Sequence, residues 1–180
     1  ALQKLPDKFG SLPKLSFLNL SSCSKLTKLP DNISLPCLEH LNLLSCHELE
    51  NLPIDFGHLE KLEFLNLSGC YKVSMLPGSF CQLNHLKYLD VSDCHNLEKL
   101  PEYFGHLVEL EYLNLTSCPK LRQLPESLCK LSKLRRLYLS YCLRLGELPS
   151  SFGDLKLQIL HLNGLHAMND CPDSIGDMTS

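Results

Sequence analysis

The residues best suited to chemistry in this chain of 180 residues are its ten cysteines and eight histidines. Thiolates and imidazoles are the usual ligands of zinc, and paired thiols form disulfides in oxidising compartments. The two types are adjacent at Cys46-His47 and Cys94-His95. We expect each of these cysteines to point inward and the following histidine to point outward, so that one turn cannot supply two ligands. The sequence also has no Cys-x-x-Cys pair, and we therefore predict no metal site.

The spacing of the cysteines indicates a different role for them. Six are separated by 23 or 24 residues: Cys23, Cys46, Cys70, Cys94, Cys118 and Cys142. This regularity is typical of an internal repeat. Equivalent thiols on adjacent parallel strands have poor geometry for a disulfide and no preferred pairing. The other four are scattered: Cys37, Cys81, Cys129 and Cys171. We predict free thiols and a reducing compartment.

Leu-Pro pairs recur with the same period as these six cysteines. They occur at residues 5–6, 29–30, 52–53, 76–77, 100–101, 124–125 and 148–149. Aligning both marks gives one unit, Leu-x-x-Leu-x-Leu-x-x-Cys-x-x-Leu-x-x-Leu-Pro-x-x-Phe-Gly-x-Leu. The Leu-x-Leu alternation predicts a short strand with its leucines inward. One unit cannot bury its own leucines, so we expect the units to stack into a parallel sheet with a common core.

The return half of each unit is expected to be extended or loosely helical, because proline removes a backbone donor. An inward spine should be formed by Phe9, Ile33, Phe56, Phe80, Phe104, Leu128, Phe152 and Ile175. We expect positive φ angles at the following glycines: Gly10, Gly57, Gly105, Gly153 and Gly176. The unit between Leu155 and Leu157 is one residue short, which predicts an irregular last turn.

The Leu-x-Leu core with a cysteine at the strand end resembles the leucine-rich repeat over the whole chain. The resemblance implies an α/β solenoid of horseshoe shape, with a parallel β-sheet on the concave face. Extended, 3-10 or short helical segments are expected on the convex face. We expect residues 1–180 to form one domain of about seven strand-bearing repeats of 23–24 residues. Because residues 1–11 are half a repeat and no polar cap is evident, we expect a fragment of a longer chain, uncapped at both ends.

The returns and strand ends are similar to the repeats of plant, particularly grass, intracellular nucleotide-binding immune receptors. Leu-Asn-Leu-Ser-Gly-Cys at 65–70 and Leu-Pro-Glu-Ser-Leu at 124–128 carry this resemblance. It implies a cytoplasmic module of plant disease resistance that recognises a pathogen effector or a host protein. The alternatives are an intramolecular clamp on a nucleotide-binding switch domain and a free-standing repeat scaffold. The chain itself has no Gly-x-x-x-x-Gly-Lys-Ser/Thr loop for ATP.

Other function classes find little support in the sequence. No catalytic set can be separated from repeat positions, so we predict neither an enzyme nor a cofactor. The net charge of −3 provides no basic field for nucleic acid or an anionic membrane. Glycosylation sequons begin at Asn19, Asn32, Asn66 and Asn114. Three of them follow from the repeat consensus Asn-Leu-Ser, and we treat them as weak evidence for secretion.

The partner-binding surface is predicted on the concave face, where two stripes of side chains cross the strands. The first contains Phe17, His40, Phe64, Tyr88, Tyr112, Arg136 and Ile159. The second contains Asn19, Asn42, Asn66, Asp90, Asn114, Tyr138 and His161. Both stripes are expected to point out of this face, and the first should form an exposed aromatic ladder. Inherited consensus and cross-strand stabilisation are the simpler explanation for many of these residues.

The pattern breaks around residue 136, and this break suggests where a partner binds. Five positive charges without an acid occur between residues 130 and 144: Lys130, Lys133, Arg135, Arg136 and Arg144. An acidic stretch precedes them: Asp90, Asp93, Glu109 and Glu111. A bipolar wall with tyrosines at the junction would suit a charged protein partner. We predict that a partner contacts Tyr88, Asp90, Tyr112, Asn114, Arg136, Tyr138 and Tyr141.

Overall fold

One parallel sheet of seven strands runs the length of the molecule. The computed structural model describes residues 2–6, 8–9 and 12–177. Each strand has three residues, and the spatial order follows the chain: β1 Phe17–Asn19, β2 His40–Asn42, β3 Phe64–Asn66, β4 Tyr88–Asp90, β5 Tyr112–Asn114, β6 Arg136–Tyr138 and β7 Ile159–His161. Every pair is parallel and in register, so leucine lies beside leucine from Leu18 to Leu160. The predicted solenoid with short 3-10 segments on its return side is confirmed.

The core lies between this sheet and the return segments. The middle leucine is fully buried from β2 to β6, while its neighbours in the strand face the other side of the sheet. The predicted inward spine is also confirmed, because Phe56, Phe80, Phe104 and Phe152 have no exposed surface. The rings of Phe56 and Phe80 are nearly parallel at a centroid distance of 6.0 Å. Burial of these apolar side chains is the main force holding the repeats together.

The six regularly spaced cysteines form a row at the end of the strands, as predicted. From Cys46 onward each thiol donates a hydrogen bond to the carbonyl of the residue that directly follows the strand of the preceding repeat, at 3.1 Å (Cys142 to Leu115) to 3.3 Å (Cys70 to Leu43). Burial raises the pKa of Cys46 and Cys142 to about 11 and that of Cys70 to about 12. The neutral thiol therefore serves as a small hydrogen-bond donor to a buried backbone carbonyl.

The positions of the positive φ angles differ from the prediction. They occur at the residue before each strand-end cysteine or its equivalent: Ser22, Ser45, Gly69, Asp93, Ser117, Tyr141 and Gly164. The prediction was wrong for Gly57, Gly105, Gly153 and Gly176, which do not have positive φ, and Gly10 lies outside the described residues. The left-handed residue turns the chain out of the strand one residue before the thiol enters the core.

From Phe56 onward the return segments alternate between two lengths, whereas the return around Ile33 has no 3-10 helix. Three-residue 3-10 helices span Phe56–His58, Phe104–His106 and Phe152–Asp154. Five-residue 3-10 helices lie between and after them at Gly78–Gln82, Glu126–Lys130 and Asp173–Asp177. The sheet therefore repeats with every unit, while the return side repeats with every second unit.

Glycine and serine pair each short return with the longer one that follows it. A Cβ at Gly57 would overlap the carbonyl group of Ser79, so only glycine allows this approach. The Ser79 hydroxyl donates to the Ile54 carbonyl at 2.5 Å and accepts from the Gly57 N–H at 3.2 Å. The same arrangement joins Gly105 to Ser127 and Gly153 to Ser174. These glycines are required for close approach, which is why they do not need positive φ.

The last complete return is irregular, as the missing residue predicts. Leu155 has ψ of 139°, whereas the equivalent Leu107 and Leu131 have ψ of 61° and 76°. The shorter segment is more extended at this point. Among the described residues, no helix is long and apolar enough to cross a membrane.

Candidate functional site

The concave face is the side of the sheet opposite the core leucines, and two columns of side chains cover it. Column 1 contains the first residue of each strand, from Phe17 to Ile159, and column 2 contains the third, from Asn19 to His161. The columns coincide with the two stripes predicted from the sequence. Exposure is uneven along column 1, with exposed side chains toward both ends and half-buried ones at Phe64, Tyr88 and Tyr112.

The rings of column 1 stack on one another as the aromatic ladder predicts. The centroid distances are 4.4 Å between Phe64 and Tyr88 and 4.3 Å between Tyr88 and Tyr112, with interplanar angles of 11° and 9°. The strand spacing of about 4.8 Å fixes these separations. Because the flat faces are covered by neighbouring rings, the centre of the ladder offers mainly ring edges and hydroxyl groups to a partner.

The two central tyrosines remain protonated well above neutral pH. Burial raises the pKa of Tyr88, and the charge of Asp90 and the neighbouring Tyr112 raise it further. Burial and the Asp90 charge likewise raise the pKa of Tyr112. Both phenols are therefore hydrogen-bond donors and acceptors at physiological pH.

Most of column 2 holds the turn that follows each strand. The side-chain oxygen of Asn66 accepts the N–H of Ser68 at 2.8 Å, and Asn114 accepts that of Thr116 at 3.0 Å. Asn19 and Asn42 make the equivalent contacts. These asparagines replace a backbone acceptor just where the ladder of strand hydrogen bonds ends. Their recurrence is explained by the fold and does not require a partner.

Asp90 does not point freely out of the concave face as we expected. It is 9% exposed, and one carboxylate oxygen accepts bonds from the N–H and hydroxyl of Ser92 at 2.9 and 2.6 Å. The Asn114 amide donates to the other oxygen at 3.2 Å. The carboxylate is thus engaged within the sheet, and the reason is that its length matches the turn-capping asparagine of the other repeats. It contributes little exposed negative charge.

The repeat that contains β6 differs from its neighbours at three predicted partner-binding positions. Arg136 occupies column 1, where its guanidinium carbon lies 5.2 Å from the centroid of the Tyr112 ring. The aromatic ladder passes instead to column 2, because Tyr138 lies 5.3 Å from Tyr112 and 4.8 Å from His161. Tyr141, in the turn after β6, is 55% exposed. In this repeat Arg136 and Tyr141 are exposed, and Tyr138 is half-buried.

Contacts within the protein engage part of the predicted bipolar wall. Lys133 forms an ion pair with Glu109 at 2.6 Å, which lowers the pKa of Glu109. The guanidinium of Arg135 donates to the carbonyls of Ser132 and Leu134 at 2.9 and 3.2 Å. With Asp90 also engaged, the acidic half presents less free charge than the sequence order suggests, whereas Lys130, Arg136 and Arg144 remain exposed. Opposite charges one repeat apart are neighbours, so the sequence order of charges exaggerates their separation.

A second row of stacked rings was missed by the sequence analysis. Tyr71 lies between His47 and His95, at 4.6 and 4.7 Å, with interplanar angles of 5° and 4°. These residues follow the strand-end cysteines by one position, and their spacing of 24 residues was a usable signal. The histidines lie outside the core as expected. Among the described residues, no group of three or more His, Cys, Asp or Glu side chains is placed to hold a metal ion.

Models of known protein families match the repeats along most of the chain. A model described as the leucine-rich repeat region matches residues 1–140, and a second leucine-rich-repeat model matches residues 133–155. The chain belongs to the leucine-rich-repeat family. Domains of this family are generally non-catalytic modules suited to protein–protein interaction, and the surface described above is consistent with that use. No curated protein sequence matches the chain significantly.

Solved structures of other leucine-rich-repeat proteins share the fold. The leucine-rich-repeat domain of the type III effector XopL is 28% identical, with a TM-score of 0.74 over 88% of this chain and 57% of that one. A chain of the Drosophila Toll–Spatzle complex is 24% identical, with a TM-score of 0.55 over 91% of this chain and 28% of that one. This leucine-rich-repeat chain therefore spans little more than half of the matched XopL chain and less of the chain from the Toll–Spatzle complex.

Proposed function

We propose that this leucine-rich-repeat chain is a recognition module of a plant disease-resistance receptor, whose concave face binds a pathogen effector or a host protein. The observation that carries the proposal is the contrast between the buried and exposed residues of one strand. The middle residue is leucine in all seven strands, whereas the first is Phe, His, Tyr, Arg or Ile. The fold requires leucine at the middle position of each strand and leaves the first position free for a partner.

The composition of the variable positions supports binding to a protein. Tyrosine and arginine are the residue types that most often dominate the energetics of protein interfaces. Tyr138, Arg136 and Tyr141 combine them within one repeat, and all three keep exposed surface. A rigid sheet lowers the entropic cost of presenting these side chains, because little of the backbone must be ordered on binding.

The assignment to a plant intracellular receptor rests on the return and strand-end motifs and on the thiols. A row of buried neutral thiols, each bonded to a carbonyl, suits a reducing cytoplasm. A glycan on Asn114 would be attached to the same amide nitrogen that now donates to the buried Asp90 carboxylate at 3.2 Å, and it would disturb that contact. Both observations support a cytoplasmic location for the receptor.

The proposal can be tested with a photo-crosslinking residue placed on either side of the solenoid. We would replace Tyr138 in the full-length protein with benzoylphenylalanine and irradiate plant cells that express it. The matched control is Tyr103, a tyrosine on the return side that is 60% exposed. Because both sites begin as tyrosines with exposed surface, the comparison isolates the face.

We expect a discrete protein adduct from position 138 that appears during infection, and a much weaker one from position 103. Equal labelling at the two positions, or none at position 138 in infected cells, would contradict recognition by the concave face. A crosslink within one chain, present before infection and lost on activation, would instead indicate an intramolecular clamp.

A further inference from the structure

The repeat containing β6 lacks features that stabilise its neighbours. In the five preceding repeats, an Asn or Asp in column 2 accepts the N–H two residues later. Tyr138 has no side-chain carbonyl or carboxylate with which to accept the N–H of Ser140. Loss of such a hydrogen bond destabilises the turn. A tyrosine at this position therefore needs an explanation outside the turn.

Tyr141 shows a second departure in the same repeat. Its φ is 60°, in the left-handed region, where the other repeats have serine, aspartate or glycine. Bulky side chains occupy this region at a cost in backbone strain, and such strain is concentrated at functional sites. Glycine in the next repeat makes room for the ring, because a Cβ at Gly164 would lie 2.6 Å from Cδ1 of Tyr141. The exposed ring and the glycine beside it act as a pair.

The charge of this region is positive where it is exposed. Arg136 is exposed, and among the described residues no carboxylate forms an ion pair with its guanidinium. The strand positions of β6 and β7, with the residue before each, contain no Asp or Glu. Stacking beside Tyr112 holds the guanidinium in place, which reduces the entropy lost when it binds a carboxylate.

We infer that Arg136, Tyr138, Tyr141 and His161 form a site for an acidic polypeptide segment of the partner. A carboxylate of that segment would pair with Arg136, and an apolar side chain beside it would contact the rings of Tyr138 and Tyr141. The inference rests on the proposed recognition function and adds the chemistry of the ligand. Charge complementarity favours this occupant over a basic segment, since nothing in the strand positions of β6 and β7 is acidic.

The test uses labelled eight-residue peptides and the full chain, with binding followed by fluorescence anisotropy. The probe alternates glutamate and leucine, and the charge-reversed probe alternates lysine and leucine. We expect binding of the glutamate peptide only, weakened at least ~10-fold by Arg136→Ala, about the effect of losing one such ion pair at an interface. Arg122→Ala is the matched control, because Arg122 is exposed but lies outside the strands, and it should change affinity less than ~2-fold.

Two further variants separate binding from folding. Tyr138→Asn and Tyr141→Ser introduce the residues that the preceding repeat has at Asn114 and Ser117. Asparagine restores the turn hydrogen bond and serine removes a bulky residue from the left-handed region, so the unfolding temperature should be unchanged or rise by roughly 2–4 °C. Affinity for the glutamate peptide should nevertheless fall several-fold in each.

The inference is overturned if the glutamate peptide does not bind, if the lysine peptide binds as tightly, or if Arg136→Ala leaves affinity unchanged. Self-association that disappears in Arg136→Ala would identify a second copy as the occupant and would also overturn it. A crosslinked partner at position 138 without peptide binding would leave the recognition function standing and reject only the acidic ligand. Peptide binding without any crosslinked partner would reject the recognition function instead.

Discussion

On the concave side every strand has the same length and register as the next, whereas on the convex side the length of the return helix alternates. Each strand has three residues, and each pairs in the same register with its neighbours. The return helices alternate between three and five residues. Backbone hydrogen bonds set the spacing between strands, and this spacing is the same for any sequence. Side chains set the alternation of the returns, since the glycine of each short return allows contact with the serine of the long return that follows.

This difference separates the positions that determine the fold from those available for recognition. The return side depends on the volumes of Phe80, Gly105 and their equivalents. Removing atoms at the first leaves a cavity, and adding one at the second causes an overlap. The concave side depends on its leucines and turn-capping asparagines, and it tolerates many side chains in column 1. We therefore expect convex substitutions to change stability and concave ones to change binding.

The largest expected effect is that of Phe80→Ala. Phe80 is fully buried and stacks on Phe56, so its removal leaves a cavity where two returns meet. The free energy of unfolding, measured by urea titration, should fall by roughly 3–5 kcal/mol. Phe17→Ala is the concave control, since Phe17 is 59% exposed, and it should cost less than about 1 kcal/mol. Similar losses for the two variants would abolish the distinction between the faces.

Gly105→Ala tests the paired returns directly. The new Cβ would overlap the Ser127 carbonyl group, so the two segments must separate and break the serine bridge. Overpacking of this kind costs typically 1–3 kcal/mol. Gly78→Ala adds the same atom to a long return with nothing within 4 Å, and its stability should hardly change. An unaltered urea midpoint for Gly105→Ala would show that glycine is not what brings the returns together.

The one-repeat period could be predicted from the sequence, but the two-repeat period could not be recognised in the same way. Leucine and cysteine recur at every unit and their inward direction follows from strand geometry. Gly57 and Ser79 are 22 residues apart and meet only because one repeat stacks on the next. Their spacing in the sequence alone does not reveal that contact. The predicted site shows the same limit. Arg136 and Tyr138 stood out as departures from the pattern, whereas the burial of Asp90 depended on bonds to Ser92 and Asn114.

The thiol row predicts a dependence of stability on pH above 8. The pKa of Cys70 is raised from 9.0 to about 12 on folding, so between pH 9 and 12 the folded state keeps a proton that the unfolded state loses. Stability is therefore fully present below pH 9 and decreases as the pH rises. Cys70→Ala should reduce the loss between pH 8 and pH 10 by about 1.4 kcal/mol, as judged from urea titrations at each pH. An identical loss in variant and original would show that this thiol ionises equally in both states.

The smallest expected effect concerns the side chains that cap the turns on the concave side. Asn66→Ala removes the acceptor of the Ser68 N–H, and stability should fall by about 1 kcal/mol, the typical value of one hydrogen bond. Asn66→Ser is the control, because a serine hydroxyl can accept the same N–H without placing a second negative charge beside Asp90. If alanine and serine leave the urea midpoint equally unchanged, the asparagines of column 2 are not structural. Their recurrence on the concave face would then need a partner to explain it, and the boundary between fold and recognition would move from column 1 to include both columns.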